Sequence, residues 1–488
     1  MPLTSFGLKG YNSYLYSHNQ FYMEFLKACN KLTLVIIWLL VFLACKKDPK
    51  MMPESSTNVE VTPDPIIPHA PPLADAFGLA VPHLTHARDV DIAARYDAGV
   101  RWVRRDLSWT KVEAVQGTFD FASTDIVVDA ELAMGMEILA ILDYGHPDYA
   151  SGSGGDSHYP PDDLADYGTY VRETVTHFKD RIDVWEIWNE PNFVNFWKPN
   201  PDPGSYGDLV LVAIYEIRQA DPSAKIMLGG MLGNIDPGSY GGQPWGFLEA
   251  VLSAHPSLLS NIDILSIHPY TWLQYVEPEI LSGVVNTFQI GFSEMVLNCR
   301  DIADQAGYPN IPIWITELGW HTATQAIITL GVSEEKQAAL WVRSCVLAFS
   351  LGVEKVFPYS YSDGSGDLTD KESHFGMMRY LANASTTSLP HDPKPAYNAY
   401  QTMTGLLSQC GFEKDLRDDL GLLPTEFAYR FSVTNSDDVV IVAWSTGLLP
   451  VPITLNSIPK SMISTTGMNL PVSSNVINVG SNPVFIVM

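Results

Sequence analysis

From Ala76 onward the chain repeats one unit: a short apolar run, a polar loop, then a longer segment of helical period. The apolar runs are Phe77–Pro82, Trp102–Arg105, Ile138–Asp143, Val184–Trp188, Lys225–Gly229, Ile264–His268, Ile313–Thr316 and Lys355–Tyr359. Helical stretches between them include Val90–Ala98, Ser123–Met134, Leu164–Phe178, Tyr206–Ala220, Gly291–Ala306 and Ser333–Leu351. Strands that alternate with helices imply a parallel sheet, and near-continuous apolar runs imply that both of its faces are covered. Eight units are the number at which such a sheet closes. The spacing therefore predicts an α/β fold, a (β/α)8 barrel over residues 73–408, with Pro395–Leu407 as its last helix.

Beyond about Gln409 the texture changes. FAYRFSV, DDVVIVAWS, VPITLN and PVFIVM are short β-rich runs separated by Asn, Asp, Gly and Ser. They predict a small antiparallel β domain over residues 409–488, read as a buttress to the barrel, with sugar binding as the alternative.

The first 72 residues read as an address. Leu32–Ala44 is a thirteen-residue run, LTLVIIWLLVFLA, preceded by Lys27 and Lys31. A membrane span needs about 20 such residues, so this length suits the apolar region of a signal peptide. It ends in Phe42-Leu43-Ala44-Cys45, which resembles the bacterial lipoprotein signal, with Cys45 as the lipidated residue. Residues 1–45 are thus expected to be a signal, with Met1 or Met23 as the start, and the product an extracytoplasmic, lipid-anchored protein. A plain secretory signal is the alternative. Residues 46–72, rich in Pro, Ser, Thr and charge, cannot bury a core and read as an extended tether reaching up to ~80 Å.

Composition narrows the partners. Twenty-nine basic residues against 55 acidic ones give a net charge of −26. A nucleic-acid partner needs clustered Lys and Arg and is not expected. Five cysteines, two of them in the N-terminal segment, are too few for a disulfide scaffold, so buried free thiols are expected. No HExxH pattern, Cys/His cluster or Walker-type loop is present, so neither a metal nor another cofactor is expected.

Two strand ends carry the chemistry. Val184-Trp185-Glu186-Ile187-Trp188-Asn189-Glu190-Pro191-Asn192 is an apolar run that ends in a carboxylic acid, and Pro191 stops the strand there. Pro312-Ile313-Trp314-Ile315-Thr316-Glu317-Leu318 repeats the arrangement three strands later. In a (β/α)8 barrel both ends lie at the C-terminal rim, where active sites are built. Glycosidic cleavage needs one protonated and one ionised carboxyl, and Glu190 with Glu317 supplies such a pair. Asn189 offers a donor and an acceptor suited to a sugar 2-hydroxyl.

These motifs resemble the clan A glycoside hydrolases, nearest in texture to family 39 and its bacterial exopolysaccharide-hydrolase relatives, over about residues 76–408. The resemblance implies a retaining mechanism, with Glu190 as acid/base and Glu317 as nucleophile. In Gly99–Trp109 it implies that Arg104 hydrogen-bonds the nucleophile. In Ile267-His268-Pro269-Tyr270 it places His268 near the acid/base and Tyr270 against the nucleophile. Tyr359–Asp363, His374–Met377 and Lys394–Tyr397 resemble the segments that close the barrel. Where many clan members carry a Trp after strand 8, this chain offers Tyr359 and Tyr361, and Leu142–Pro147 adds Tyr144 and His146 as candidate substrate contacts.

Trp188, Trp197, Trp272 and Trp320 sit in or beside rim segments, where aromatic faces stack on sugars. The expected partner is a polysaccharide or oligosaccharide, and endo-acting cleavage is expected. A family 39 type exo β-xylosidase, a transglycosylase and a non-catalytic carbohydrate-binding protein on the same fold are the alternatives.

Overall fold

The computed structural model describes residues 72–82, 88–233, 243–271, 277–280, 290–326, 331–384 and 390–488. The expected signal, Cys45, nearly all of the tether and Trp272 lie outside the described residues. Among those described, no helix is long and apolar enough to cross a membrane.

Nine short parallel strands form the barrel: β1 (Gly78–Ala80), β2 (Trp102–Asp106), β3 (Glu137–Leu142), β4 (Val184–Ile187), β5 (Lys225–Leu228), β6 (Met231–Leu232), β7 (Leu265–His268), β8 (Ile313–Leu318) and β9 (Lys355–Pro358). They pair in the orders β1-β2-β3-β4-β5 and β6-β7-β8-β9. Parallel bridges Met227–Ile264 and Ala80–Tyr359 join the two groups into a closed ring. The eight expected strands become nine because the fifth is interrupted at Gly229-Gly230, between β5 and β6. The chain is a (β/α)8 barrel followed by an antiparallel β domain.

Local chemistry explains the helices. Leu164–Phe178 starts at Asp163, whose side chain accepts from the Ala165 amide at 2.9 Å. Its buried Tyr167, Tyr170, Val171, Thr174, Val175 and Phe178 recur at helical spacing on one face. Pro203–Ala220 is capped by Asp202 and opens with proline. Glu334–Ser350 is buried almost all round from Gln337 to Phe349. Pro244–Ala254, which the sequence reading did not single out, is a further helix.

Period-two alternation sorts the strand side chains. Ala80, Trp102, Leu139, Val184, Met227, Ile264, Trp314 and Phe357 pack together as an apolar plug inside the barrel. Their neighbours Val103, Ile138, Trp185, Ile226, Leu265, Ile315 and Val356 face outward into the helix layer. Two residues above the plug, the inward positions turn polar: Arg104, Glu186, Ser266 and Thr316.

After the last helix, Pro395–Leu407, come β10 (Cys410–Asp415), β11 (Glu426–Val433), β12 (Val439–Ser445), β13 (Val451–Thr454), β14 (Ser461–Ser464), β15 (Asn469–Leu470), β16 (Val476–Val479) and β17 (Val484–Val487). Six of them form an antiparallel sheet, β10-β11-β12-β17-β14-β15, and β13 pairs with β16. Phe427, Tyr429, Phe431, Val440, Val442 and Trp444 pack into the same core as the barrel helices. Ala428, Ile441 and Ala443, on the other face, pack into a second core with Ile453 and Ile477. The aromatic face of this sheet is therefore covered by protein, and Trp444 Nε1 donates to Glu279 at 2.8 Å. Cys299, Cys345 and Cys410 are buried free thiols.

Candidate active site

Strict alternation along β4, with Val184 and Glu186 inward, would aim Trp188 into the barrel mouth and Asn189 away from it. The backbone does otherwise. Trp188 takes φ 67° and Glu190 φ 46°, left-handed values that non-glycine residues rarely adopt outside functional sites. The indole of Trp188 turns outward, its Nε1 donating to the Phe196 carbonyl at 2.8 Å, while Asn189 and Glu190 join the site. Space for this path comes from Gly229: a Cβ there would lie 2.4 Å from the Trp188 carbonyl. The Glu190 amide donates to the Gly230 carbonyl at 3.0 Å. Asn192 then ties the loop to β6, bonding the Leu232 amide at 2.9 Å and its carbonyl at 2.8 Å.

A second irregularity presents Glu317. Ile315 pairs with Val356 but Leu318 with Pro358, so β8 holds one extra residue against β9. This bulge lets Thr316 and Glu317 both reach the interior side of the strand.

The two glutamates meet. Carboxylate oxygens of Glu190 and Glu317, with a ring nitrogen of His268, lie within 4.8 Å of one another. That gap fits direct attack on an anomeric carbon, for which ~5 Å is needed; inversion leaves room for a water at ~6.5–9.5 Å. Glu317 accepts from Arg104 Nη1 at 2.5 Å and from the Tyr270 hydroxyl at 3.0 Å. Glu190 faces His268 Nδ1 at 2.8 Å and is only 5% exposed. Burial, and then the charge of Glu317, hold the Glu190 carboxyl well above the ordinary carboxylate range. Glu317 is also raised by burial, but Arg104 and the Tyr270 hydroxyl pull against it. The environments thus separate a proton-holding acid from a better-stabilised anion. Burial, with the Arg104 charge, pushes His268 well below the usual histidine value, so it is neutral and positions Glu190 by hydrogen bonding.

Asn189 accepts from Arg104 Nη2 at 2.9 Å and donates to the Tyr144 hydroxyl at 2.9 Å. Tyr359 stands beside Tyr270, Phe375, Phe193 and Leu232 in one cluster. Arg105, next to Arg104, faces the opposite way and pairs with Glu131 behind the sheet.

Five candidates do not reach the site. Trp188 is fully buried among Tyr144, Tyr167 and Trp197. Trp320 is 3% exposed and packs into the main core, and its backbone carbonyl accepts from Gln337 Nε2 of the Glu334–Ser350 helix at 2.9 Å. His146 spends both ring nitrogens on local backbone, Nδ1 with the Asp148 amide at 3.2 Å and Nε2 with the Glu113 carbonyl at 3.1 Å. Trp197 is likewise buried, and Tyr361 bonds Asp91 at 3.0 Å away from the glutamates.

Other residues join that the sequence reading passed over. Glu186 is fully buried and grips Arg104. Its signal was there, an acidic residue inside an apolar strand two positions from an inward plug residue. Asp106 and Asp143, at the ends of β2 and β3, lie near Arg104, and neither Asp143 oxygen has a hydrogen-bond partner among the described residues. Burial, opposed by the Arg104 charge, raises Asp106 to about 7, and burial with the Asp106 charge holds Asp143 well above its usual range. Glu372 adds a charge that raises Glu190 further.

Fold and site together define a clan A glycoside hydrolase. The family model described as cellulase (glycosyl hydrolase family 5) matches residues 81–349, more than half of the chain, and the chain belongs to that family. A β-xylosidase of Geobacillus stearothermophilus is 25% identical over 274 residues, 49% of this chain and 50% of that protein. A β-xylosidase of Caldicellulosiruptor saccharolyticus is 28% identical over 132 residues, 24% of this chain and 26% of that one. The chain thus spans half or less of the length of these relatives. A family 39 glycoside hydrolase from Bacteroides cellulosilyticus WH2 superposes with TM-score 0.69 at 21% identity, covering 85% of this chain and 80% of that one. A monomeric β-xylosidase from Caulobacter crescentus CB15 gives TM-score 0.58 at 16% identity, covering 86% and 97%. At these identities the likeness is one of fold.

Proposed function

We propose that the protein is a retaining β-glycosidase acting on an oligosaccharide or polysaccharide by double displacement. Glu317 attacks the anomeric carbon while Glu190 protonates the leaving oxygen; Glu190 then takes a proton from the water that releases the sugar. Once Glu317 is esterified its charge is gone, and one cause of the raised Glu190 carboxyl goes with it, so Glu190 becomes ready to act as base. The observation that carries this reading is the carboxyl pair within 4.8 Å in unequal surroundings.

A panel of aryl β-glycosides and β-linked polysaccharides, run on wild type and Glu317→Ala with product sizes recorded, tests it. Turnover by the wild type alone supports the reading; equal turnover by Glu317→Ala removes the nucleophile assignment. We place endo action first, as suits a tethered surface enzyme, although the burial of Trp188, Trp197 and Trp320 takes away much of the expected aromatic platform. An exo-acting β-xylosidase is the second reading, favoured by the names of both relatives. A ladder of products from xylan means endo, and xylose alone means exo. We also propose an extracytoplasmic location with a lipid anchor at Cys45, on the strength of the Leu32–Cys45 pattern. Loss of labelled-lipid incorporation in Cys45→Ser is the outcome expected.

A further inference from the structure

Glu186 touches no solvent, yet it lies two hydrogen bonds from the Glu317 carboxylate and two from the backbone amide of Glu190. Its Oε2 accepts from Arg104 Nε at 2.7 Å and its Oε1 from Nη2 at 3.0 Å, which leaves Nη1 for Glu317 at 2.5 Å. The same Oε1 accepts from the Gly230 amide at 2.8 Å, and the Gly230 carbonyl holds the Glu190 amide at 3.0 Å. Ser266 Oγ approaches it at 3.3 Å and contacts Thr316 Oγ1 at 2.5 Å; Thr316 in turn meets His268 Nε2 at 3.0 Å, and His268 holds Glu190. Two fixed paths therefore lead from one buried carboxylate to the acid/base, and one to the nucleophile.

We infer that Glu186 is a positioning residue for both catalytic glutamates, whose geometry aligns them and whose charge sets the pH range of the reaction. This rests on the glycosidase reading above. Arg104 serves two carboxylates at once. With Glu186 gripping two guanidinium nitrogens, Glu317 receives only part of the positive charge and keeps the basicity an attacking group needs. Were Glu186 neutral, Arg104 would turn its whole charge on Glu317 and leave a more stable, weaker nucleophile. The charged and titratable groups facing Glu186 are Arg104 from β2, Asp143 after β3, Glu190 beyond β4, Glu317 on β8 and Tyr206 from the Pro203–Ala220 helix, with His268 on β7 reached through Thr316. Arg104 is the one cation that bonds Glu186 among the described residues, and the Glu186 charge contributes to raising both Glu190 and Glu317.

The test is the pH profile of kcat/KM on the full chain, for wild type, Glu186→Gln and Glu186→Asp. Glu186→Gln removes the charge at equal size, so both limbs should move to lower pH, by about one unit, with kcat/KM down ~10²-fold. Glu186→Asp keeps the charge but shortens the reach, so kcat should fall with the limbs in place. A folded Glu186→Gln that loses rate with unmoved limbs has only a structural defect and overturns the inference; so does one that matches wild type. Should Glu186→Gln fail to fold, Arg104→Gln/Glu186→Gln, which leaves no unpaired buried charge, is compared with Arg104→Gln, and unmoved limbs again overturn it. Wild-type silence on every glycoside overturns the glycosidase reading and this inference together.

Discussion

Two levels of the same barrel, one strand pleat apart, obey different rules. At the plug, each strand contributes one apolar side chain in strict alternation, and the ring from Ala80 to Phe357 closes without a left-handed residue or a bulge. At the rim, alternation breaks at the two places where a glutamate of the proposed catalytic pair stands: by positive φ at Trp188 and Glu190, and by an extra residue in β8. A regular pleat can turn only every second residue toward the mouth. Breaking it gives Asn189 together with Glu190, and Thr316 together with Glu317. Regular backbone builds the support, and irregular backbone concentrates polar groups.

The comparison can be broken from either side. Glu317→Ala should lower kcat by ~10⁴-fold or more while thermal unfolding stays near the wild-type midpoint; comparable losses in both would merge rim and plug into one stability element. Phe357→Ala empties a fully buried plug position that stacks on Trp314. It should cost about 3–5 kcal/mol in denaturant unfolding, with turnover per folded molecule preserved. Gly230→Ala would set a Cβ 2.1 Å from His268 Nε2, so kcat should drop ~10²-fold and KM little; an unchanged rate would mean that the close approach of β6 to His268 is dispensable.

The smallest effect has the opposite sign. Asp106 and Asp143 have folded-state values raised above their unfolded ones, so the stability they allow is complete below about pH 4 and is lost as pH rises through the folded value, about 7 for Asp106. Asp143→Asn should therefore be more stable than wild type by about 1–3 kcal/mol at pH 8, with the gap narrowing at pH 4. Unfolding curves at the two values check it; a gap that widens toward acid would show Asp143 to be stabilised as an anion.

Much of this was legible in order along the chain. Apolar runs of strand length between helical segments determined a closed parallel barrel, because burial on both faces and a helix after every strand leave few other arrangements. Acidic residues at the ends of the fourth and seventh such runs marked the two carboxylates that the fold brings together and that are proposed to react, since strand ends map onto one rim. What alternation alone would say of Trp188 was misleading, and aromatic residues near a rim looked alike whether they faced sugar or core. Tertiary structure decided those cases. The turn that buries Trp188 depends on space left by Gly229 between β5 and β6, and the bulge at Glu317 exists only in register with β9. The role of Glu186 needed Arg104, 82 residues away, and Gly230, 44 residues away. Periodicity is a local property that a sequence carries by itself. Breaks in periodicity, and the partners of a buried charge, are set by neighbours that only folding brings close.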